Sequence, residues 1–230
     1  MNESEVQKVL AKARAIITGS HVVYTSWEHG TAYVNKDALY PHTVDMYYLC
    51  HEIAEQFRYS EDKVEVVIAP TIGGVILSQW VAYHLTKMDR HNREVLGVYA
   101  EKEAVAIPDP LNKGRKCYIE TGNFVIKRGY DKLIAGKNVL VVEDVLTTGG
   151  SAKKVIEATR AVGGKVIGLG VLCNRGGITP QDVADVSKLI ALVNVKLDAF
   201  NEADCPLCKQ NIPINTDVGK GSEFLARKQM

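Results

Sequence analysis

The chain has 230 residues, 46% of them hydrophobic, with a formal net charge of +1 and five cysteines. That length holds one α/β domain with trimmings and a full core. The near-neutral charge excludes a polyanion-binding field, so nucleic acid is not an expected partner and any anion site must be local. No run of about eighteen apolar residues occurs, so nothing is expected to span a membrane. Glu3, Glu5, Lys8, Lys12 and Arg14 interrupt the apolar core a secretory leader needs. A sparse, odd set of cysteines fits reduced thiols in a cytoplasmic protein.

In chain order, Val6, Val9, Leu10, Ala13, Ile16 and Ile17 recur at helical spacing, with Ser4 and Gln7 as a capping box and Gly19 as a stop. Residues 21–25 and 31–34 read as short strands separated by a turn containing Gly30, and residues 44–57 carry a second helical pattern. Residues 64–69 form an apolar run expected to be a buried strand, 70–74 a glycine turn, 75–85 the helix after it, and 95–99 the next strand. From Glu101 to about Lys116 periodicity dissolves among Pro108, Pro110, Asn112 and Gly114, which predicts a mobile loop. Residues 117–119 and 124–126 predict a hairpin around Thr121-Gly122-Asn123. A strand at 139–142, a helix at 152–162 and strands at 166–172 and 189–193 follow, and the polar tail beyond Gly219 is expected to fray. Strand–helix alternation of this kind argues for a parallel sheet with right-handed crossovers.

The densest chemistry lies at Val139-Leu140-Val141-Val142-Glu143-Asp144-Val145-Leu146-Thr147-Thr148-Gly149-Gly150-Ser151. The apolar run reads as a strand buried on both faces. The hydroxyl- and glycine-rich turn presents backbone N–H groups at a helix N-terminus, where the dipole and unpaired donors favour phosphate. The two acids sit at the strand's carboxyl end, where open α/β sheets bind ligands. A phosphate beside two carboxylates implies a sugar phosphate whose hydroxyls, or a bridging metal, the acids can bind. The run "VLVVED" also opens receiver domains, but a receiver places such acids near its own N-terminus and has no Thr-Thr-Gly-Gly-Ser after them. Neither the P-loop nor the dinucleotide-binding glycine spacing occurs.

Glu-Asp-Val-x-Thr-Thr-Gly-Gly-Ser resembles the phosphoribosyl-diphosphate (PRPP) signature of type I phosphoribosyltransferases, in the form most like orotate phosphoribosyltransferases. The resemblance implies an α/β fold with a central, mostly parallel sheet flanked by helices and an N-terminal hood. As one phosphoribosyltransferase domain, the chain would have its helix and hood over about residues 1–60, its core over about 61–200 and a C-terminal extension over about 201–230. The implied reaction moves the 5-phosphoribosyl group from PRPP to a nucleobase, orotate foremost, with release of diphosphate. Mg²⁺ enters bound mainly through PRPP, and the implied assembly is a homodimer. Glu143 and Asp144 would hold the ribose hydroxyls, and Val145 and Leu146 would lead into Thr147, Thr148, Gly149, Gly150 and Ser151 around the 5-phosphate.

Other positions follow from the same resemblance. Thr71, Ile72, Gly73 and Gly74, after Pro70, would bind the diphosphate; consecutive glycines let backbone N–H groups approach a ligand. That turn has no lysine, so Lys102 would bring the catalytic cation. Lys113, Arg115 and Lys116, or Lys127 and Arg128, are further cations for the departing diphosphate. Residues 25–36 resemble the hood segment over the base, but Trp27 and Gly30 stand where the family has a glycine and a serine. Lys36, Thr147 and Arg175 would meet the base, the arginine through its fork of donors. Trp27 and Gly30 leave two alternatives open: a phosphoribosyltransferase for a purine or other base, and a non-catalytic PRPP- or nucleotide-binding regulator of the same fold.

Cys205-Pro206-Leu207-Cys208 is a lone CxxC. Zinc wants four ligands, no second pair follows, and every histidine lies before residue 92. The expectation is a structural turn, with a metal shared across a dimer as the alternative.

Overall fold

The computed structural model describes all residues except Thr25, Asn92, Pro110, Leu111, Lys113, Lys196, Gln229 and Met230. Its elements run α1 (Glu3–Lys12), β1 (Ile16–Val23), β2 (His29–Val34), α2 (Thr43–Arg58), β3 (Val66–Pro70), α3 (Gly74–Met88), β4 (Leu96–Pro108), β5 (Lys116–Val125), α4 (Tyr130–Ile134), β6 (Asn138–Leu146), α5 (Gly150–Ala161), β7 (Lys165–Asn174), β8 (Leu189–Asn194), α6 (Pro206–Lys209) and α7 (Gly221–Lys228). They fall into two compact units, Met1–Met46 with Val193–Met230, and Tyr47–Leu192. Among the described residues no helix is long and apolar enough to cross a membrane.

In the first unit, α1 is capped by Asn2, whose side chain accepts from the Glu5 amide at 3.0 Å while Glu5 accepts from the Asn2 amide at 2.8 Å. This capping box replaces the expected pair Ser4 and Gln7. The helix also stops earlier than its spacing suggested, at Arg14 with φ 54°. Ile16 and Ile17 leave it for β1, pairing antiparallel with Val34 and Tyr33; stiff β-branched side chains prefer the pleated strand. Gly19, with φ 65°, is therefore no helix stop but part of an irregularity between Thr18 and Val22. Gly30 belongs to β2 rather than to a turn. Up to Lys228 the tail beyond Gly219 is helical rather than frayed: α7 buries Phe224, and the amides of Asn215 and Lys220 donate to the carbonyls of His21 and Val23 at 2.8 and 2.7 Å.

The second unit is built on a six-stranded sheet in the order β5-β4-β3-β6-β7-β8. β3 runs parallel to β4 and β6, and β6 parallel to β7. One face is a continuous core in which Val66, Ile68, Val98, Val139, Val141, Leu169 and Val171 pack with Ala152, Val155 and Ile156 of α5. Gly97, Gly168 and Gly170 present the other face. A Cβ on Gly97 would meet Ser78 and Gln79 of α3, and Cβ atoms on the other two would strike Phe57 and Ile53 of α2. These glycines let α2 and α3 lie close on the face away from α5.

Over residues 101–108 and 116–125, the expected mobile loop and short hairpin are instead one long antiparallel ribbon; Pro110 of that loop lies outside the described residues. β4 and β5 pair from Glu101↔Val125 to Pro108↔Lys116. Thr121, Gly122 and Asn123 sit where the register shifts, between Lys102 and Ala104, not at a hairpin tip. Glu103 holds this bulge by accepting from the Thr121 hydroxyl at 2.6 Å and the Asn123 amide at 3.3 Å. Most of the ribbon is solvated on both faces, so no apolar alternation marks it in the sequence.

Candidate active site

From β3 the chain turns into α3 on one face of the sheet and pairs next with β4; from β6 it turns into α5 on the other face and continues to β7. The turns after β3 and β6 thus leave neighbouring strands toward opposite faces. That crevice at the carboxyl ends is the topological switch point where open α/β sheets bind ligands. Both sequence-derived anion turns, 70–74 and 147–151, lie there.

At the first turn the Thr71 amide donates to Ala100 at 2.9 Å, the Thr71–Ile72 peptide is cis, and Ile72 is exposed. Gly74 opens α3 and packs on β3; its Cβ would fall 2.7 Å from that of Ala69. At the second, Gly149 takes a left-handed φ of 74° and starts α5 with no side-chain cap. Thr147, Thr148 and Ser151 are exposed. This helix N-terminus has no side-chain N-cap; the Thr148 hydroxyl accepts from the Gly150 amide at 3.4 Å, and the exposed turn and the helix dipole together are suited to an anion.

Glu143 and Asp144 lie within β6, three and two residues before its last residue Leu146, with 6% and 3% exposure. Strand alternation turns them to opposite faces. Asp144 accepts from the Val145 amide at 2.6 Å, and Glu143 from the Asp144 amide at 3.1 Å. Both carboxylates are therefore at the crevice in the chain but covered.

Arg175 follows β7 beside the same turn. Its amide and that of Gly176 both donate to the Leu146 carbonyl, at 3.0 and 3.1 Å. Gly176 packs so closely that a Cβ there would lie 1.8 Å from the Thr147 carbonyl oxygen. Arg175 and Thr147 are thus brought together, and Gly176 is a positioning residue that the Gly-Gly after a strand could have signalled. Asn174 closes the loop behind them, exchanging hydrogen bonds with Ile178 at 2.9 and 3.0 Å.

Lys102 lies on β4 two residues past Ala100, the residue that binds the Thr71 amide. It is exposed and donates to Glu120 across the ribbon at 2.9 Å. Arg115 and Lys116 sit at the ribbon's far end, about 20 Å from Lys102 at the rise of an extended strand. Arg128 pairs with Glu101 and lies over Tyr99; Lys127 precedes it in the connection to α4. Lys113 lies outside the described residues. Lys36 belongs to the first unit, on a turn of 3-10 helix over Lys36–Ala38. In that unit Trp27 has φ 69° and carries the Arg227 guanidinium over its ring at 4.4 Å, so one face of the indole is taken.

A cavity of about 830 Å³ opens elsewhere in the second unit, among Arg58, Lys63, Glu65, Arg93, Lys137 and Asn138. It lies at the amino ends of β3, β4 and β6, the wrong end of the sheet for the expected chemistry.

A family model described as "Phosphoribosyl transferase domain" matches residues 42–204. The chain is 34% identical over 214 residues to the orotate phosphoribosyltransferase of Pelotomaculum thermopropionicum, covering 93% of this chain and 95% of the relative. It is 31% identical over 218 residues to the orotate phosphoribosyltransferase of Thermotoga maritima, covering 94% and 98%. Among solved structures, orotate phosphoribosyltransferase from Aeropyrum pernix superimposes with a TM-score of 0.55 at 23% identity, over 82% of this chain and 93% of that one. Adenine phosphoribosyltransferase from Thermoanaerobacter pseudethanolicus gives 0.54 at 16%, over 84% and 99%. At such identities the two structures bear on the fold alone.

Proposed function

Because the chain belongs to the type I phosphoribosyltransferase family, we propose that it moves the 5-phosphoribosyl group of PRPP onto orotate, giving orotidine 5-phosphate and diphosphate. The observation that supports this most is the meeting of both anion turns at one switch point, in a chain 34% identical to a named orotate enzyme over 93% of its length.

In the proposed reaction the bond from the ribose anomeric carbon to diphosphate breaks, a bond from a base nitrogen forms on the opposite face, and configuration inverts. Charge separates between an oxocarbenium-like sugar and the leaving diphosphate. The uncapped start of α5, with Thr147, Thr148 and Ser151, holds the 5-phosphate. Backbone amides of 71–74 and Lys102 meet the diphosphate where its charge develops. Lys102 reaches it by exchanging its exposed pair with Glu120, an interaction worth at most about 1 kcal/mol. Glu143 and Asp144 bind the ribose hydroxyls and set negative charge near the electron-poor ring, after substrate displaces the groups that cover them. Arg175 and Thr147, brought together beside the turn after β6, face the base.

Mg²⁺ would enter bound mainly through the PRPP phosphates, and a carboxylate at the end of β6, Glu143 or Asp144, is the kind of hard oxygen donor that would hold it there. When bound, Mg²⁺ supplies charge neutralisation on the diphosphate. A homodimer in which each ribbon reaches its partner's crevice would give Arg115 and Lys116 a role, since both lie far along the ribbon from their own chain's turn. Such a cover also keeps water from PRPP.

Incubating the protein with PRPP, Mg²⁺ and separately orotate, uracil, adenine or hypoxanthine, while following diphosphate release, tests the reading. Orotate-dependent release that falls by orders of magnitude in Glu143→Gln/Asp144→Asn is the expected result. Release driven by a purine instead would transfer the proposal to that base, and release with no base would sink it.

A further inference from the structure

The first unit brings together four side chains that lie far apart in sequence. His21 is on β1, His29 on β2, and Cys205 and Cys208 flank the start of α6. One ligand atom from each falls within 4.8 Å of every other. His21 Nε2 stands 2.8 Å from His29 Nδ1, 3.6 Å from the Cys205 sulfur and 3.7 Å from the Cys208 sulfur; His29 Nδ1 is 3.3 Å from the latter. A tetrahedral ion with bonds of about 2.05 Å to nitrogen and 2.3 Å to sulfur needs N···N and N···S edges of roughly 3.3 and 3.6 Å. Three of the four nitrogen–sulfur edges, at 3.3–3.7 Å, come within about 0.3 Å of this, and the imidazoles need to part by about half an ångström.

We propose that His21, His29, Cys205 and Cys208 form a structural zinc site that pins the C-terminal CxxC knuckle to the β1–β2 hairpin.

The surroundings carry the marks of such a site. His21 donates from Nδ1 to the Ile212 carbonyl at 2.7 Å, which leaves the Nε2 lone pair directed at the cluster. A metal-bound histidine is oriented by that kind of outer hydrogen bond. His29 shows Nδ1 to the cluster, and its Nε2 has no hydrogen-bond partner. Backbone bonds hold both histidines: His29 and Phe200 exchange amide–carbonyl bonds at 2.8 Å, and the His21 carbonyl accepts from Asn215. Phe224 of α7 meets the His29 ring edge-on at 4.8 Å. His21, His29 and Cys205 are buried and Cys208 half-buried, and none of the cysteines is in a disulfide.

Charge favours a divalent ion with both cysteines as thiolates, because the buried centre is then neutral. Binding therefore releases two thiol protons to solvent, and no oxidant or reductant is needed. Two sulfurs and two nitrogens closing on one centre select zinc among common metals. A two-iron cluster with this donor set holds its thiolates and imidazoles on different irons, further apart than 3.3–3.7 Å. The CxxC looked like a plain turn because its partners lie some 180 residues upstream, with no spacing to betray them.

Metal analysis of the full chain, purified with reductant and no chelator and then reconstituted with zinc, should find one zinc per chain. Cobalt substitution should give the intense visible spectrum of a tetrahedral S2N2 site, and Cys208→Ser should retain less than about a tenth of the metal. If that variant does not fold, titrating the wild type with a thiol-binding mercurial should release one zinc as Cys205 and Cys208 react. Wild type that stays below about a tenth of an ion per chain overturns the proposal. So does zinc kept in full by Cys208→Ser, or a Cys205–Cys208 disulfide. Turnover is not the readout, so these outcomes stand apart from those for phosphoribosyl transfer.

Discussion

Replacing Gly176 with alanine tests how tightly the strand after α5 positions the phosphate turn. The new Cβ would sit 1.8 Å from the Thr147 carbonyl oxygen and 2.8 Å from its carbon. Both obstacles are backbone, so no side chain can swing aside, and the two segments must part by about 1.2 Å to relieve the contact. That movement strains the hydrogen bonds from the amides of 175 and 176 to Leu146, each worth about 1 kcal/mol. With overpacking, the loss comes to roughly 3 kcal/mol, which for a chain of this size lowers Tm by about 6–12 °C. Displacing Thr147 from Arg175 by that distance should cut phosphoribosyl transfer about 100-fold. Gly177→Ala is the control: at φ 62° with nothing within 4 Å of a Cβ, it should cost only about 1–2 kcal/mol of backbone strain and leave turnover intact. Differential scanning calorimetry and the diphosphate-release assay read both quantities. A Gly176→Ala protein that melts within about 2 °C of wild type and turns over normally would refute the packing argument.

Lys102→Ala should reduce kcat by about 100-fold if the lysine meets the departing diphosphate, whereas Glu120→Gln, removing its exposed partner, should move stability by less than about 1 kcal/mol; a Lys102→Ala rate within about twofold of wild type would return the lysine to the surface. Burial pushes the thiol of Cys50 up to about 12 and that of Cys173 up to about 11, while Cys117 is half-buried on the ribbon. Peptide mapping after brief alkylation of the native protein at neutral pH should therefore find Cys117 modified and the other two spared; labelling of Cys50 at a comparable rate would contradict its place in the core.

The residues that make phosphate chemistry possible are local in sequence. An apolar run, two acids and a hydroxyl–glycine turn occupy consecutive positions, so strand, turn and helix start follow from neighbours alone, and β6 and α5 appear within a few residues of where the pattern puts them. Where local preference was ambiguous, pairing decided. Ile16 and Ile17 fit a helical repeat equally well until β2 offered a partner strand. Glu101 to Pro108 lacks periodicity because the ribbon meets water on both faces, and only β5 across from it makes it a strand. The burial of Glu143 and Asp144 depends on packing around β6, while the contact of Gly176 with Thr147 and the gathering of two histidines with two cysteines join segments 29 to 187 residues apart. Residue types and short spacings encode what a turn can bind; which distant groups share its space is set by chain packing, for which a linear pattern carries no distance.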